Sequence, residues 1–265
     1  MDSPDTKTLT SLEREHLKAQ DSRLVSAHKA EQLERQAQKH WDLFYKRNET
    51  RFFRDRHWTT REFAELVGEH NGAQKRVLFE VGCGVGNFIY PLIEEQLNLH
   101  ILACDLSPRA IELLKNNPLY DAGRIRAFHC DISSEQFVDH VESSSVDVAT
   151  LIFVLSAIHP DKFAVTLQNI HKLLKPGGLL MFRDYGLYDM AQLRFKPGNK
   201  IADNFYMRQD GTRTYFFATQ FAQELLERAG FKVMSNEYIH RRTINRKEDV
   251  DVPRIFVQLK AQKIA

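Results

Sequence analysis

The 265-residue sequence predicts an α/β fold, a mostly parallel sheet with helices on its faces and a helical extension in front of it. Three observations lead there. From Val77 onward, short β-branched and aromatic runs alternate with helical patterns five times in succession. The first of these runs ends in glycines at alternate positions, Gly82, Gly84 and Gly86, a turn that lets backbone approach a ligand at the carboxyl end of a strand. After the alternation, two further strands, 232–240 and 254–259, suit a closing hairpin at the sheet edge.

Taken in order, residues 1 to about 25 are polar and charged without a strong period, and disorder or a loose helix is expected. From about 26 a helix is expected, with Leu33, Ala37, Trp41 and Phe44/Tyr45 recurring every three to four residues. The stretch 46–61 then sets six basic residues (Lys46, Arg47, Arg51, Arg54, Arg56, Arg61) against Glu49 and Asp55, interleaved with Phe52, Phe53, His57 and Trp58. Such a mixture suits phosphate contact and base stacking, and equally a solvated face with aromatics packed beneath it. A helix around 60–69 leads to strand one, 77–81.

After the glycine turn, a helix through 92–97 precedes strand two, 100–104, which ends at Asp105. Ser107 and Pro108 start the next helix, 108–116, as cap and first-turn residue. Strand three is 125–129, running out through Cys130 and Asp131. Strand four, 146–153, is apolar on both faces and reads as central and parallel. A helix over 161–174 stops at Lys175-Pro176-Gly177-Gly178, and strand five, 179–183, emerges into Asp184-Tyr185-Gly186-Leu187-Tyr188-Asp189. Runs at 205–209 and 212–217 flank Asp210-Gly211, a hairpin signal read as an insertion beside the ligand cleft. A helix over 218–228 ends at Gly230.

With 43% hydrophobic residues the chain can build a proper core, and at a net charge of +2 any basic surface must be local. Cys83, Cys104 and Cys130 are odd in number and lack metal spacing, so they read as small apolar filler in a reducing compartment. No signal peptide opens the sequence and no run approaches the ~18 apolar residues of a membrane span. An intracellular protein without metal or membrane partner is expected.

The glycine spacing decides between ligands. A dinucleotide fingerprint needs a glycine at the sixth position, where Asn87 stands. Glu80, two residues before a GxGxG, resembles motif I of the class I S-adenosylmethionine (SAM) methyltransferases. Asp105, 19 residues after Gly86, is placed to accept from ribose hydroxyls. Asp131 stands where these enzymes accept from the adenine amine, and the proline-glycine-glycine turn before strand five agrees. The resemblance implies their Rossmann-like, seven-stranded, mostly parallel sheet.

A narrower likeness follows from WDLFYKRNETRFFRDRHWTTREF (41–63), EVGCGVGN, ACDLSPRAIE, DVATLIFVLSAIHP, LLMFRDYGLYD and NFYMRQDGTRTYFF. These resemble the eukaryotic tRNA 3-methylcytidine methyltransferases from about Glu31 to the C-terminus. The resemblance implies methylation of cytidine 32 in the anticodon loop of serine tRNAs, with SAM as cofactor and seryl-tRNA synthetase as partner. A cytoplasmic location is expected, with the nucleus left open. It implies a cofactor site of Trp41, Tyr45, Glu80, Gly82, Gly84, Gly86, Asp105, Asp131 and Ile152. An RNA-facing set follows: Arg51, Phe53, Arg54, Arg56, His57 and Trp58, with Tyr185, Arg208 and Arg213. The organisation expected is a flexible 1–25, a helical aromatic and basic segment 26–70 serving as cofactor lid and RNA contact, and a methyltransferase domain 71–265 with an insertion at about 190–217.

Methylation at cytosine N3 uses an in-plane lone pair, so alignment and stabilisation of arriving positive charge are the main demands. Asp184 and Asp189 are the candidate carboxylates beside the base, with Tyr185 and Tyr188 as walls. A base turned out of its stack would be received by aromatics such as Phe53, Trp58, Phe205 and Tyr206. Two rival readings stay open from the residues alone: methylation of a small molecule or protein, which needs no basic and aromatic segment, and a non-catalytic RNA-binding subunit, against which the intact cofactor motifs argue.

Overall fold

A computed structural model describes residues 6–66, 75–134, 140–245 and 250–264. The chain begins with α1 (Ser11–Gln20), α2 (Ala27–Arg35), α3 (Ala37–Asn48) and the single turn α4 (Thr59–Glu62). Disorder or a loose helix was the expectation for the first 25 residues, but α1 is regular and packed. Its start is a capping box, Thr10 accepting from the Glu13 amide while the Glu13 carboxylate accepts from the Thr10 amide. Its end carries Gln20, 1% exposed, whose Nε2 donates to the carbonyls of Gln192 (3.0 Å) and Phe195 (3.1 Å) and whose Oε1 accepts from the Tyr206 hydroxyl (2.9 Å). The single helix expected from residue 26 is two, broken where Gln36 leaves helical geometry at φ −105° and ψ 16°. The helix expected over 60–69 is α4 followed by a 3₁₀ turn, Ala64–Leu66, and its last three positions lie outside the described residues.

Five strands follow, β1 (Arg76–Val81), β2 (Leu99–Asp105), β3 (Ile125–His129), β4 (Val146–Ile152) and β5 (Leu174–Tyr185), with helices described after β1, β2 and β4. A small three-stranded sheet follows, β6 (Lys200–Ala202), β7 (Phe205–Met207) and β8 (Arg213–Tyr215), one strand more than the expected hairpin. The long β9 (Phe231–Asn245) and β10 (Val250–Lys263) finish the chain. The main sheet runs β3-β2-β1-β4-β5-β10-β9. Ladders among β1 to β5 are parallel, and β10 is antiparallel to both β5 and β9. The predicted α/β class with a closing edge hairpin is therefore observed. β5 begins five residues before its expected start because the chain passes from helix directly into the ladder, Leu174 pairing with Val146 ahead of a register shift.

Alternation of side chains along the strands divides the core into two layers. Phe79, Val81, Leu151 and Phe182 face one side. Leu78, Ile101, Ala103 and Val148 face the other, together with Ile89 and Leu92 of α5 (Ile89–Glu94) and Ile111 and Leu114 of α6 (Pro108–Lys115). The first layer is covered by α7 (Phe163–Leu173) and, beyond the single turn α8 (Met190–Leu193), by α9 (Thr219–Arg228); α7 and α9 contribute Leu167, Ile170 and Leu226. Strand order reverses between β1 and β4, and in open parallel sheets the crevice at the carboxyl ends of such strands is where ligands sit.

Candidate active site

A cleft of about 850 Å³, partly open to solvent, lies at that reversal. Its floor is the glycine turn after β1, and φ is +63° at Gly82 and +54° at Gly84, a region side chains rarely enter. A Cβ on Gly82 would stand 2.4 Å from Val154 Cγ2, and one on Gly84 would stand 2.8 Å from the Tyr45 hydroxyl. Both positions therefore require bare backbone facing the cleft. Gly86, with φ +92°, lies against the Tyr90 ring rather than in the cleft wall. Asp105 at the end of β2 fixes the turn: Oδ2 accepts from the Gly84 amide (2.8 Å) and Oδ1 from the Ser107 amide (2.9 Å). Burial pushes its carboxyl up to about 6, with those two bonds pulling the other way.

Further round the cleft stand Asp131, Ile132 and Ile152. Asp131 Oδ1 accepts from the amide (2.9 Å) and hydroxyl (2.6 Å) of Ser133, which holds the loop after β3. Beneath the glycine turn, Glu80 is 3% exposed, and its Oε2 has no hydrogen-bond partner among the described residues. Burial pushes this carboxyl up to about 8; the nearby Arg56 cation opposes the rise and Asp105 adds to it. A buried oxygen left unpaired is costly unless a ligand group meets it.

Across the opening, α3 supplies Trp41 and Tyr45, and the loop after it supplies Phe53 and Arg56. Tyr45 and Phe44 pack with Val85 and Ala110, so the N-terminal segment covers the glycine turn through apolar contact. Asn87, the residue that breaks the dinucleotide fingerprint, staples the two parts. Its Nδ2 donates to the Phe53 carbonyl (3.3 Å) and Asp55 Oδ1 (3.0 Å), and its carbonyl accepts from the Arg56 amide (2.8 Å). Arg56 Nη1 donates to the Ile152 carbonyl (3.4 Å), and the guanidinium stands 5.4 Å from the centre of the Phe153 ring. Phe153 itself adopts φ +60°, an uncommon conformation for a bulky residue and one concentrated at functional sites. The sequence reading did not assign Asn87 or Phe153 to the site. Asn87 stands directly after the glycine turn, and Phe153 is expected as the last residue of strand four, whereas β4 ends at Ile152 and leaves Phe153 free to turn.

The expected RNA-facing residues separate into two groups. Arg51, Arg54 and His57 are exposed, with Arg51 3.2 Å from Glu49, and Arg208 is half-buried over the Tyr185 ring at 5.3 Å. Phe53 and Arg56 instead line the cleft. Trp58 lies under Arg183, whose guanidinium is 4.2 Å from its ring centre and is paired with Glu62. Arg213 is 5% exposed and paired with Glu34 of α2, tying that helix to β8. Phe205 and Tyr206, proposed receivers of a base, are core residues; Tyr206 stacks on Phe195 at 4.7 Å.

The two candidate catalytic carboxylates are corrected in the same way. Asp184 is fully buried, accepting from the amides of Ser156 (2.9 Å) and Tyr185 (2.9 Å), and burial pushes it up to about 6. Asp189 is fully buried, accepting from Arg254 Nε (2.9 Å), the Ile255 amide (2.7 Å) and the Ala191 amide (2.9 Å). Neither lines the cleft. Each closes backbone donors at the β5 end, and a short polar run after a strand does not disclose which way its carboxylates turn.

The cleft's chemistry fits the SAM expected from the resemblance. An unpaired buried carboxylate suits an ammonium, the bare glycine turn allows close approach, and Asp105 keeps acceptor capacity beside apolar Leu106, Ile132 and Ile158. Among the described residues, no group of three His, Cys, Asp or Glu could hold a metal, and no helix is long and apolar enough to cross a membrane.

Comparison with known proteins gives three results. Residues 79–180 match the methyltransferase domain family. The chain is 55% identical over 259 residues to the tRNA N(3)-cytidine methyltransferase METTL6 of Mus musculus, covering 97% of this chain and 91% of the relative. It is 38% identical to METTL2 of Danio rerio, also a tRNA N(3)-cytidine methyltransferase, with 92% and 79% covered. Among solved structures, a SAM-dependent methyltransferase from Anabaena variabilis superposes with a TM-score of 0.61 at 12% identity, covering 85% of this chain and 94% of that one, which shows the fold.

Proposed function

The chain belongs to the tRNA N(3)-cytidine methyltransferases, a SAM-dependent family, and from that premise we propose that it forms 3-methylcytidine at position 32 of the anticodon loop of serine tRNAs. The carrying observation is 55% identity across 97% of the chain, and a cleft lined by Gly82, Gly84, Asp105, Trp41 and Tyr45 with the unpaired Glu80 carboxyl buried behind it supports the reading.

Bound SAM supplies a methyl group on a positively charged sulfur. The chain's residues bind and orient around that group. Glu80, buried just behind the lining with an unpaired oxygen, is the acceptor for its ammonium end, Asp105 serves its ribose hydroxyls and Asp131 its base, while Trp41, Tyr45 and Phe53 close the opening against water. Cytosine N3 brings its own lone pair, so no side chain has to remove a proton before attack, and the rate depends on in-line placement at van der Waals distance. The product base is a fixed cation, which acceptors and ring faces at the cleft mouth favour. With Asp184 and Asp189 engaged in backbone bonds and outside the cleft lining, that stabilisation falls to the carbonyls and aromatic rings of the lining itself.

The exposed Arg51, Arg54 and His57, with Arg208 beside Tyr185, form the proposed RNA contact. A net charge of +2 gives little long-range attraction for tRNA, which supports a partner that selects the substrate, and seryl-tRNA synthetase is the proposed one. The site of action proposed is the cytoplasm, and also the nucleus. The test is methyl transfer from labelled SAM to unmodified serine tRNA, with and without the synthetase, followed by nucleoside analysis. Label in 3-methylcytidine that depends on the synthetase supports the whole reading. Label without it removes the partner, label in another nucleoside removes the chemistry, and no label in either arm removes the tRNA substrate.

A further inference from the structure

Of the six basic residues in 46–61, Arg56 is the one the fold turns inward. Its guanidinium offers five donors, yet its hydrogen bond within the cleft is a long one, 3.4 Å to the Ile152 carbonyl, with the Phe153 ring beside it. Glu80, 3% exposed, carries an oxygen without a partner among the described residues. An arginine cation and an acid that ionises when a cation meets it, each with unmet bonding capacity, thus stand near the glycine turn. The amino-acid end of SAM is a zwitterion, and its ammonium and carboxylate match them in sign.

We propose that Arg56 takes the cofactor carboxylate while Glu80 takes the ammonium, and that this contact locks residues 51–58 over the loaded cleft. It rests on the SAM dependence that family and fold show. The mechanical link is the Asn87 staple: the Arg56 amide donates to the Asn87 carbonyl, and Asn87 Nδ2 holds Phe53 and Asp55. The stretch that engages the cofactor from beneath also carries the exposed Arg51, Arg54 and His57. Loading the cleft therefore fixes the loop that carries the RNA-facing side chains.

The experiment compares SAM with decarboxylated SAM, which keeps adenosine, sulfonium and amine but lacks the carboxylate. Calorimetry is run on the wild type, Arg56→Ala and Arg56→Lys, with hydrogen exchange of residues 51–58 in the wild type. A charge-assisted contact gives a preference for SAM of about ten- to a hundredfold in the wild type. Arg56→Ala should lose that preference while binding decarboxylated SAM within about threefold of the wild type, a single partly buried contact having been removed. Arg56→Lys should keep part of it, since the cation stays and the fork geometry goes. The amides of 51–58 should be protected by SAM and much less by the decarboxylated compound. Equal wild-type affinity for both compounds overturns the proposal, as does an Arg56→Ala variant that weakens both alike. Those results leave the cofactor reading standing; a wild type that binds neither compound overturns both.

Discussion

Glu80 combines deep burial with a charge the cofactor calls for, and so it makes binding depend on pH. Its carboxyl moves from 4.5 up to about 8, first by burial, with Arg56 opposing and Asp105 adding. A carboxyl raised in the native state holds a proton that the unfolded chain has released. Its contribution to the ligand-free fold is therefore full below 4.5 and is lost as pH rises to about 8. The cofactor ammonium favours the ionised form, so binding expels the proton and affinity climbs as pH approaches about 8, by up to ~10-fold per unit. Asp105, which titrates near 6, affects the lower part of the window, and the cofactor's own amine affects wild type and variant alike. In Glu80→Gln the rise should vanish, so the wild-type to variant affinity ratio for SAM should grow with pH; a flat ratio from calorimetry contradicts it. Asp105 and Asp131, each picked out by its place at the carboxyl end of a strand, do line the cleft, and Glu80, two residues before the glycine turn, is buried behind it. Asp184, likewise read at a strand end, and Asp189 turn to backbone donors instead, and Arg56 looked like its exposed neighbours because sequence spacing does not encode which arginine of a loop turns inward.

At the scale of elements, strands were easier to read than the N-terminal helices. A buried parallel strand is apolar on both faces, as β4 is, and β4 starts at the residue expected; β3, at the sheet edge with Arg126 and His129 exposed, also matches its expected range. By contrast, α1 has few apolar residues, and its buried anchor is Gln20, so amphipathic periodicity was absent while the helix was real. Its stability comes from the capping box and from the carbonyls it meets in the insertion, partners more than 170 positions away in sequence. Gln20→Ala leaves those two carbonyls and the Tyr206 hydroxyl short of partners in a buried site, at a cost of about 2–3 kcal/mol. For a chain of this size that lowers Tm by about 4–12 °C, with the SAM Kd unchanged because Gln20 is outside the cleft. Leu12→Ala, at a position 61% exposed on the same helix, should leave Tm within a degree or two. Thermal unfolding of the two variants checks the assignment, and equal Tm values would show that α1 is not anchored through Gln20.

In the whole molecule, one short segment divides its charge between two jobs. Arg56 is turned into the cleft, while Arg51 and Arg54 stand on the solvent side of the same loop. The separation was not legible from composition, which counted six basic residues as one patch. It arises because α3 packs onto the glycine turn through Phe44 and Tyr45 and the Asn87 staple then fixes the loop's rotation. The global charge of +2 means that tRNA affinity has to come from such local contacts rather than from a general field. Each phosphate neutralised by an arginine releases counterions and adds about 0.7–0.9 to the slope of log affinity against log salt. Arg51→Glu with Arg54→Glu should therefore weaken tRNA binding and flatten that slope by about 1.5, while the Kd for SAM stays put, because neither side chain reaches the cleft. Binding of unmodified serine tRNA across a salt series, run beside SAM titrations, reads both effects. A slope that does not change would move the RNA contact off this loop, and a loss of SAM affinity in the same variant would mean that the two sides of the segment are not independent.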